Sequence, residues 1–149
     1  MDPKHLRQMA FDIANTYNYP CPKKLILSSK LKSTVGRCIK DAGIIELNEW
    51  FVLNNRKEIV EALLKHEICH LRHCNHSKGF MQAVKIMGSA MYIEDLFDDI
   101  VYPAKYVYKC MGCNGIRFLN QKYKHPRSCT ACGGKKFNKD FELVLVQGD

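Results

Sequence analysis

The feature that most constrains this chain is a helical stripe that changes chemistry halfway along. Between residues 56 and about 73, Ile59, Leu63, His66 and His70 follow one another at spacings of four, three and four. That spacing puts all four on one helix face. The stripe begins as core and ends as imidazole, so the histidines enter the interior with it. Asn55, followed three residues later by Glu58, resembles a capping pair with Asn55 as N-cap.

The elements around this helix set the fold class. Residues 4 to 18 carry Leu6, Met9, Ala10, Ile13 and Ala14 at helical spacing, and Pro20 and Pro22 end that run. Lys24 to Ser29 reads as a strand. Two β-leaning runs, 34–40 and 43–48, flank Asp41-Ala42-Gly43 and predict a hairpin. A break is expected at Cys74-Asn75. A second helix follows over 77–91, with Phe80, Val84 and Met87 facing inward, and the acidic run 92–100 is read as helical. The pattern predicts an α+β fold, a short sheet with a hairpin packed against helices. Pro103 marks a boundary, giving a domain over 1–102 and a small cysteine module over 103–149.

His66, Glu67 and His70 form an HExxH motif. Histidines at i and i+4 of a helix can reach one Zn²⁺ at about 2.0–2.1 Å. Glu67 lies ~100° round the helix, within reach of a metal-bound water whose pKa zinc lowers toward ~7. That is chemistry for hydrolysing an amide. A catalytic zinc needs a third protein ligand and an open position. The candidates are His73, Cys74 and His76. Three ligands on one straight helix would lie in a row roughly 10 Å long and cannot converge. His76, beyond the break, can come round, so it is the expected third ligand. His73 is then left beside the substrate, behind a ligand or exposed. His73, Tyr92 and Tyr102 are candidates for stabilising the transition state.

The stretch HEICHLRHCNHSKGF resembles the metal-binding stretch of the SprT-like, Spartan-related zinc metalloprotease family. Its members carry HExxH on a helix and a later histidine followed four residues on by an aromatic, here His66, Glu67, His70, His76 and Phe80. TVGRCIKDAGIIELNEWF resembles the hairpin before their active helix. Spartan-type members have a longer insert between the second and third histidine. The short spacing and the Asn75-His76-Ser77 triplet also resemble yeast-type crosslink proteases and small bacterial metal-dependent hydrolases. The resemblance implies a zincin-like protease domain, a Glu67 base, protein substrates crosslinked to DNA, and a C-terminal zinc ribbon.

Residues 110–132 carry that second site. Cys110-x2-Cys113 and Cys129-x2-Cys132 supply two knuckles and four thiolates for one structural zinc. One catalytic and one structural zinc are therefore expected. Cys21, Cys38 and Cys69 lack such spacing and read as free thiols packed as small apolar groups. The net charge of +8 is concentrated here: residues 105–139 hold nine basic side chains and no acidic one. Lys109, Arg117, Lys122, Lys124, Arg127, Lys135 and Lys136, interleaved with Tyr106, Tyr108, Phe118, Tyr123 and Phe137, form a candidate surface for single-stranded or damaged DNA. The plainer alternative is that lysines solubilise the ribbon and the aromatics are its core. Glu94, Asp95, Asp98 and Asp99 read as a solvated face or a partner for these lysines.

No apolar run approaches the ~20 residues needed to cross a bilayer, and no signal-like segment opens the chain. A cytoplasmic location, nucleoid-associated if DNA is bound, is expected. The function that follows is a zinc metallopeptidase acting on DNA-associated proteins. Two rivals are a nucleic-acid-binding protein with a structural or vestigial histidine site, and a hydrolase of non-protein substrates.

Overall fold

The computed structural model describes residues 1–31, 34–73, 75–113 and 115–148. The chain forms two compact units, one of Met1–Leu31 and Val35–Ile100, the other built on Val101–Asp149.

The first unit opens with α1, Pro3–Tyr17. Asp2 caps it by accepting from His5 N at 2.8 Å, and Pro3 at the first turn needs no donor. Leu6, Ala10, Ile13 and Ala14 are its buried face. Strand β1 (Lys24–Ser28) lies parallel to β3 (Ile44–Asn48), and β2 (Gly36–Ile39) pairs antiparallel on the far side of β3. The expected hairpin is thus β2–β3. Its turn uses Gly43 at φ 67, where a Cβ would also come within 3.1 Å of Lys23 Cγ. In central β3, Ile45 and Leu47 are wholly buried.

Helix α2, Glu49–Asn54, was not anticipated from the sequence. Asn48 starts it by accepting from Phe51 N at 2.8 Å, while its amide donates to Leu31 O at 3.1 Å. Both ends of a buried side chain are thereby satisfied. The same helix corrects the capping expectation at Asn55. That amide donates back to Phe51 O at 3.0 Å, and α3 (Lys57–His70) starts from Arg56 with no side-chain cap.

Helix α3 is held by burial. Ile59, Leu64 and Ile68 are 1% exposed or less, and each contributes about 1.5–3 kcal/mol on leaving water. Phe51, Phe80 and Met87 complete this core. Helix α4 is Lys78–Ile86, capped by Ser77, and ends short of the expected 91. The acidic run is not a helix: it holds only a 3-10 turn at Ile93–Asp95. Of its carboxylates, Asp99 pairs with Arg56 of the same unit, Nε to Oδ2 at 2.7 Å.

The second unit is a zinc ribbon. Strands β4 (Tyr106–Cys110), β5 (Ile116–Leu119) and β6 (Leu143–Gln147) form an antiparallel sheet in the order β5-β4-β6. A short helix, α5, spans Thr130–Gly133. Around the thiols this unit has a small core of Cys110, Cys129 and Leu143, with Tyr108, Tyr123, Cys132 and Phe141 packed against it, and Val107 and Tyr102 are buried as well. Among the described residues no helix is long and apolar enough to cross a membrane.

Candidate metal centre

Helix α3 presents His66 and His70 one turn apart, then stops at His70, three residues before the expected end. Leu71 N donates to Ile68 O at 3.0 Å, tightening the end of the helix, and His73 N still reaches Cys69 O at 3.0 Å, so one closing turn follows the regular helix. Ser77 then caps α4 by accepting from Phe80 N at 3.3 Å. His76, just before that cap, is carried back over α3. Ligand nitrogens of His66, His70 and His76 all lie within 4.8 Å of one another. His73 does not join this cluster, and Cys74 lies outside the described residues.

Phe80 forms the floor. Its ring stacks on His70 at 4.4 Å and 23°, and its centroid is 4.9 Å from both His66 and His76. The sequence showed an aromatic at this position but not that one ring would touch all three imidazoles. The histidines pair edge-on or tilted at 5.0–5.4 Å between centroids.

The donor set fits a divalent metal. His70 Nδ1 is 2.9 Å from the carbonyl of His73, and His66 Nδ1 is 3.4 Å from that of Ala90. A carbonyl only accepts, so both Nδ1 atoms carry the proton and both Nε2 atoms keep a lone pair for a metal. Burial lowers the pKa of all three. His66, also beside His70, is drawn down to about 4. Neutral imidazoles are the form that ligates.

Glu67, next to His66 on α3, is buried, 4% exposed. A Cβ on Gly36 of β2 would stand 3.2 Å from its Oε2, so the strand approaches the carboxylate because position 36 has no side chain. Burial pushes the Glu67 carboxyl up to about 8. A nearby divalent cation favours the ionised form instead. Cys38 on the same strand is pushed up to about 11 by burial and by Glu67. Tyr92 has its ring 6.3 Å from His76, while Tyr102 belongs to the other unit.

The cysteine cluster is equally compact. Cys110 Sγ and Cys132 Sγ are 3.9 Å apart, and Cys113 Sγ and Cys129 Sγ 3.7 Å. Four sulfurs each ~2.3 Å from one tetrahedral zinc would be roughly 3.8 Å apart. Gly112 N and Gly115 N each donate to the thiol two residues back, at 3.4 Å, which is how a CxxC knuckle turns. The backbone N–H of Cys132 draws Cys129 down to about 7, whereas burial and its neighbours push Cys132 up to about 12. Four thiols this close cannot all ionise without a cation between them.

Of the remaining cysteines, Cys69 is fully buried and donates to Met87 Sδ at 3.7 Å, Cys38 is half-buried, and Cys21 is exposed rather than packed. Lys122, Lys124, Arg127, Lys135 and Lys136 are exposed and Arg117 is half-exposed. Lys109 departs from the expected surface: it is 8% exposed, in the central strand, and offers little to a phosphate. Tyr108 and Tyr123 are core, 4.7 Å apart.

The model of the YgjP-like metallopeptidase domain family matches residues 4–90. Among curated proteins, the chain is 23% identical to the SprT-like protein of Bacillus cereus (strain ATCC 10987 / NRS 248) over 99% of this chain and 98% of that protein. It is 26% identical to the SprT-like protein of Bacillus subtilis (strain 168), over 91% and 96% respectively. Among solved structures, it resembles the metallopeptidase zymogen abylysin of Pyrococcus abyssi, with a TM-score of 0.55 and 25% identity over 64% of this chain and 90% of that one. With its domain matched across α1 to α4, and its likeness to SprT-like proteins running on through the ribbon, the chain belongs to the YgjP-like metallopeptidase family.

Proposed function

We propose that this protein is a zinc metallopeptidase of HExxH type, with one catalytic zinc held by His66, His70 and His76 and one structural zinc held by Cys110, Cys113, Cys129 and Cys132. The observation that carries it is the convergence of three histidine nitrogens within 4.8 Å at the end of α3, next in sequence to a buried glutamate. When bound there, zinc supplies Lewis-acid polarisation of the scissile carbonyl and acidifies a water. His66 and His70 orient their Nε2 atoms through backbone carbonyls, and Phe80 spaces all three rings. Glu67 takes the proton of the attacking water on its carboxylate and returns it to the leaving amine nitrogen. Tyr92, with its ring 6.3 Å from that of His76, is the candidate for hydrogen bonding to the oxyanion. The N-terminal unit is the protease domain and the C-terminal unit its recruiting module.

The substrates are proteins associated with DNA. Support comes from the ribbon, whose basic residues Arg117, Lys122, Lys124, Arg127, Lys135 and Lys136 are exposed or half-exposed in a segment that has no acidic side chain between 105 and 139. Lys105 and Lys122 both lie over the Tyr106 ring, at 5.5 and 5.9 Å, a pairing of cation and aromatic suited to a single strand. We place the enzyme in the cytoplasm, where thiols stay available to zinc.

The test is to incubate wild type and Glu67→Gln with a DNA-bound protein, with and without DNA. Wild type should cleave, faster with DNA, and Glu67→Gln should lose about 10²–10⁴ in rate while keeping its zinc. Proteolysis retained by that variant refutes the role of Glu67. DNA binding should fall steeply with salt, and salt-insensitive binding refutes the ribbon's role.

A further inference from the structure

The turn after α3 is tied to the end of α1. Asn18 closes α1 at φ 57, and Tyr19 N donates to Ala14 O at 2.8 Å, so the helix end itself fixes Tyr19. The Tyr19 hydroxyl lies 3.3 Å from His73 Nε2. The Arg72 guanidinium sits 4.1 Å over the Tyr19 ring and donates to Asn18 O at 3.0 Å. From the other side α4 closes on the same imidazole: a Cβ at Gly79 would stand 3.0 Å from His73 Cε1 and 3.2 Å from Nδ1. The His73 ring is thus held between a phenol and a bare stretch of helix backbone. Its own carbonyl is the group that accepts from His70 Nδ1 at 2.9 Å.

We infer that Tyr19 and Gly79 are positioning residues for His70, acting through His73. A backbone carbonyl holds its place only if its peptide plane does. Here the residue that carries the carbonyl is anchored by its own N–H on Cys69 O, in the preceding peptide unit, and by the clamped ring, which together limit how the carbonyl can turn. If the ring shifts, the carbonyl turns, the bond to Nδ1 lengthens, and His70 loses the restraint that directs Nε2. This inference rests on reading the three histidines as the zinc site.

The experiment uses the full chain with its cysteine site filled, as wild type, Tyr19→Phe and Gly79→Ala. Tyr19→Phe keeps the ring under Arg72 and removes only the hydroxyl. Gly79→Ala favours helix formation in α4, so a loss of function is not a loss of fold. Two quantities are read: zinc affinity at the histidines by competition with a chelator, and solvent exchange of the His70 Nδ1–H by NMR of ¹⁵N-histidine-labelled protein. The exchange is followed in metal-free and zinc-loaded protein. Loss of a group bonded directly to a ligand costs about 10–100-fold in affinity, so one step removed each variant should lose about 3–10-fold. The His70 Nδ1–H should exchange faster in both. Wild-type affinity and exchange retained in either variant overturns the relay, as does lost affinity with unchanged exchange. If wild type itself takes no zinc at the histidines, the metal-centre reading fails, and exchange in the metal-free protein alone decides the relay.

Discussion

Phe80→Leu separates what the aromatic floor does for packing from what it does for the metal. Phe80 is fully buried and lies within 4.9 Å, centroid to centroid, of all three histidine rings. Truncation to alanine would cost about 3–5 kcal/mol and confound the two roles. Leucine keeps most of the volume, so in metal-free protein it should cost about 1–1.5 kcal/mol. A branched aliphatic chain cannot reproduce the stacked contact with His70, the edge contact with His66 and the tilted one with His76, so the imidazoles lose their spacing. If zinc then binds tenfold more weakly, its contribution to stability at saturation falls by about a further 1.4 kcal/mol. The variant should therefore be destabilised about twice as much with zinc as without. Trp50, the chain's single tryptophan, lies in α2 of the same unit, and its fluorescence through a urea titration reads this unit. Equal destabilisation with and without zinc would show that Phe80 is core and nothing more.

Other outcomes follow from the same geometry. His76→Ala should abolish stoichiometric zinc at the histidines, whereas His73→Ala should weaken it by no more than about tenfold, both read by metal content after gel filtration. The Asp99 carboxyl is held below its ordinary value by two hydrogen bonds from Arg56, Nε at 2.7 Å and Nη2 at 3.2 Å. A depressed carboxylate stabilises above its unfolded pKa, and that stability goes as pH falls through the lowered folded value. Asp99→Asn should thus lower the urea midpoint at pH 7, with the gap shrinking in acid and in high salt. Cys132→Ser should release the ribbon's zinc and melt that unit's sheet, seen as loss of dispersed NMR signals from residues 106–110 and 116–119, because among the described residues the unit's buried apolar side chains are only Tyr102, Val107, Cys110, Cys129 and Leu143.

The elements that sequence reasoning reached were those written in periodicity or in a turn residue. Ile59, Leu63, His66 and His70 spell out a helix face, and Gly43 marks a hairpin that β2 and β3 make. Boundaries went wrong where one residue sat between two elements. Asn55 followed by Glu58 is a reasonable N-terminal signal, but Asn55 closes α2 and α3 starts one residue later, from Arg56. Residues 92–100 carry the charge of a surface helix and not the apolar stripe that would hold one down, and only Ile93 is buried. Lys109 looked like its basic neighbours because charge along a sequence does not show which residues fall in a central strand. Gly36 gave no signal at all: its value lies in the 3.2 Å approach to Glu67, a contact between residues 31 apart.

His73 shows most plainly where reading a sequence by side chains stops. On a straight helix it shares the ligand face and is excluded only because three ligands in a row cannot converge. The helix does not run straight: it ends at His70, and the turn that follows points the His73 ring toward Tyr19 while returning its carbonyl to His70. The residue therefore belongs to the site through its main chain. Any amino acid could supply that carbonyl, so no motif can encode it. What the sequence can specify is the means of holding the peptide plane: a tyrosine just past the cap of α1, a glycine at the second position of α4, and an imidazole short enough to fit between them. A substitution at Tyr19, 47 positions before the first ligand, is predicted to reach the metal by that route, and by the His70 Nδ1–H it can be followed there.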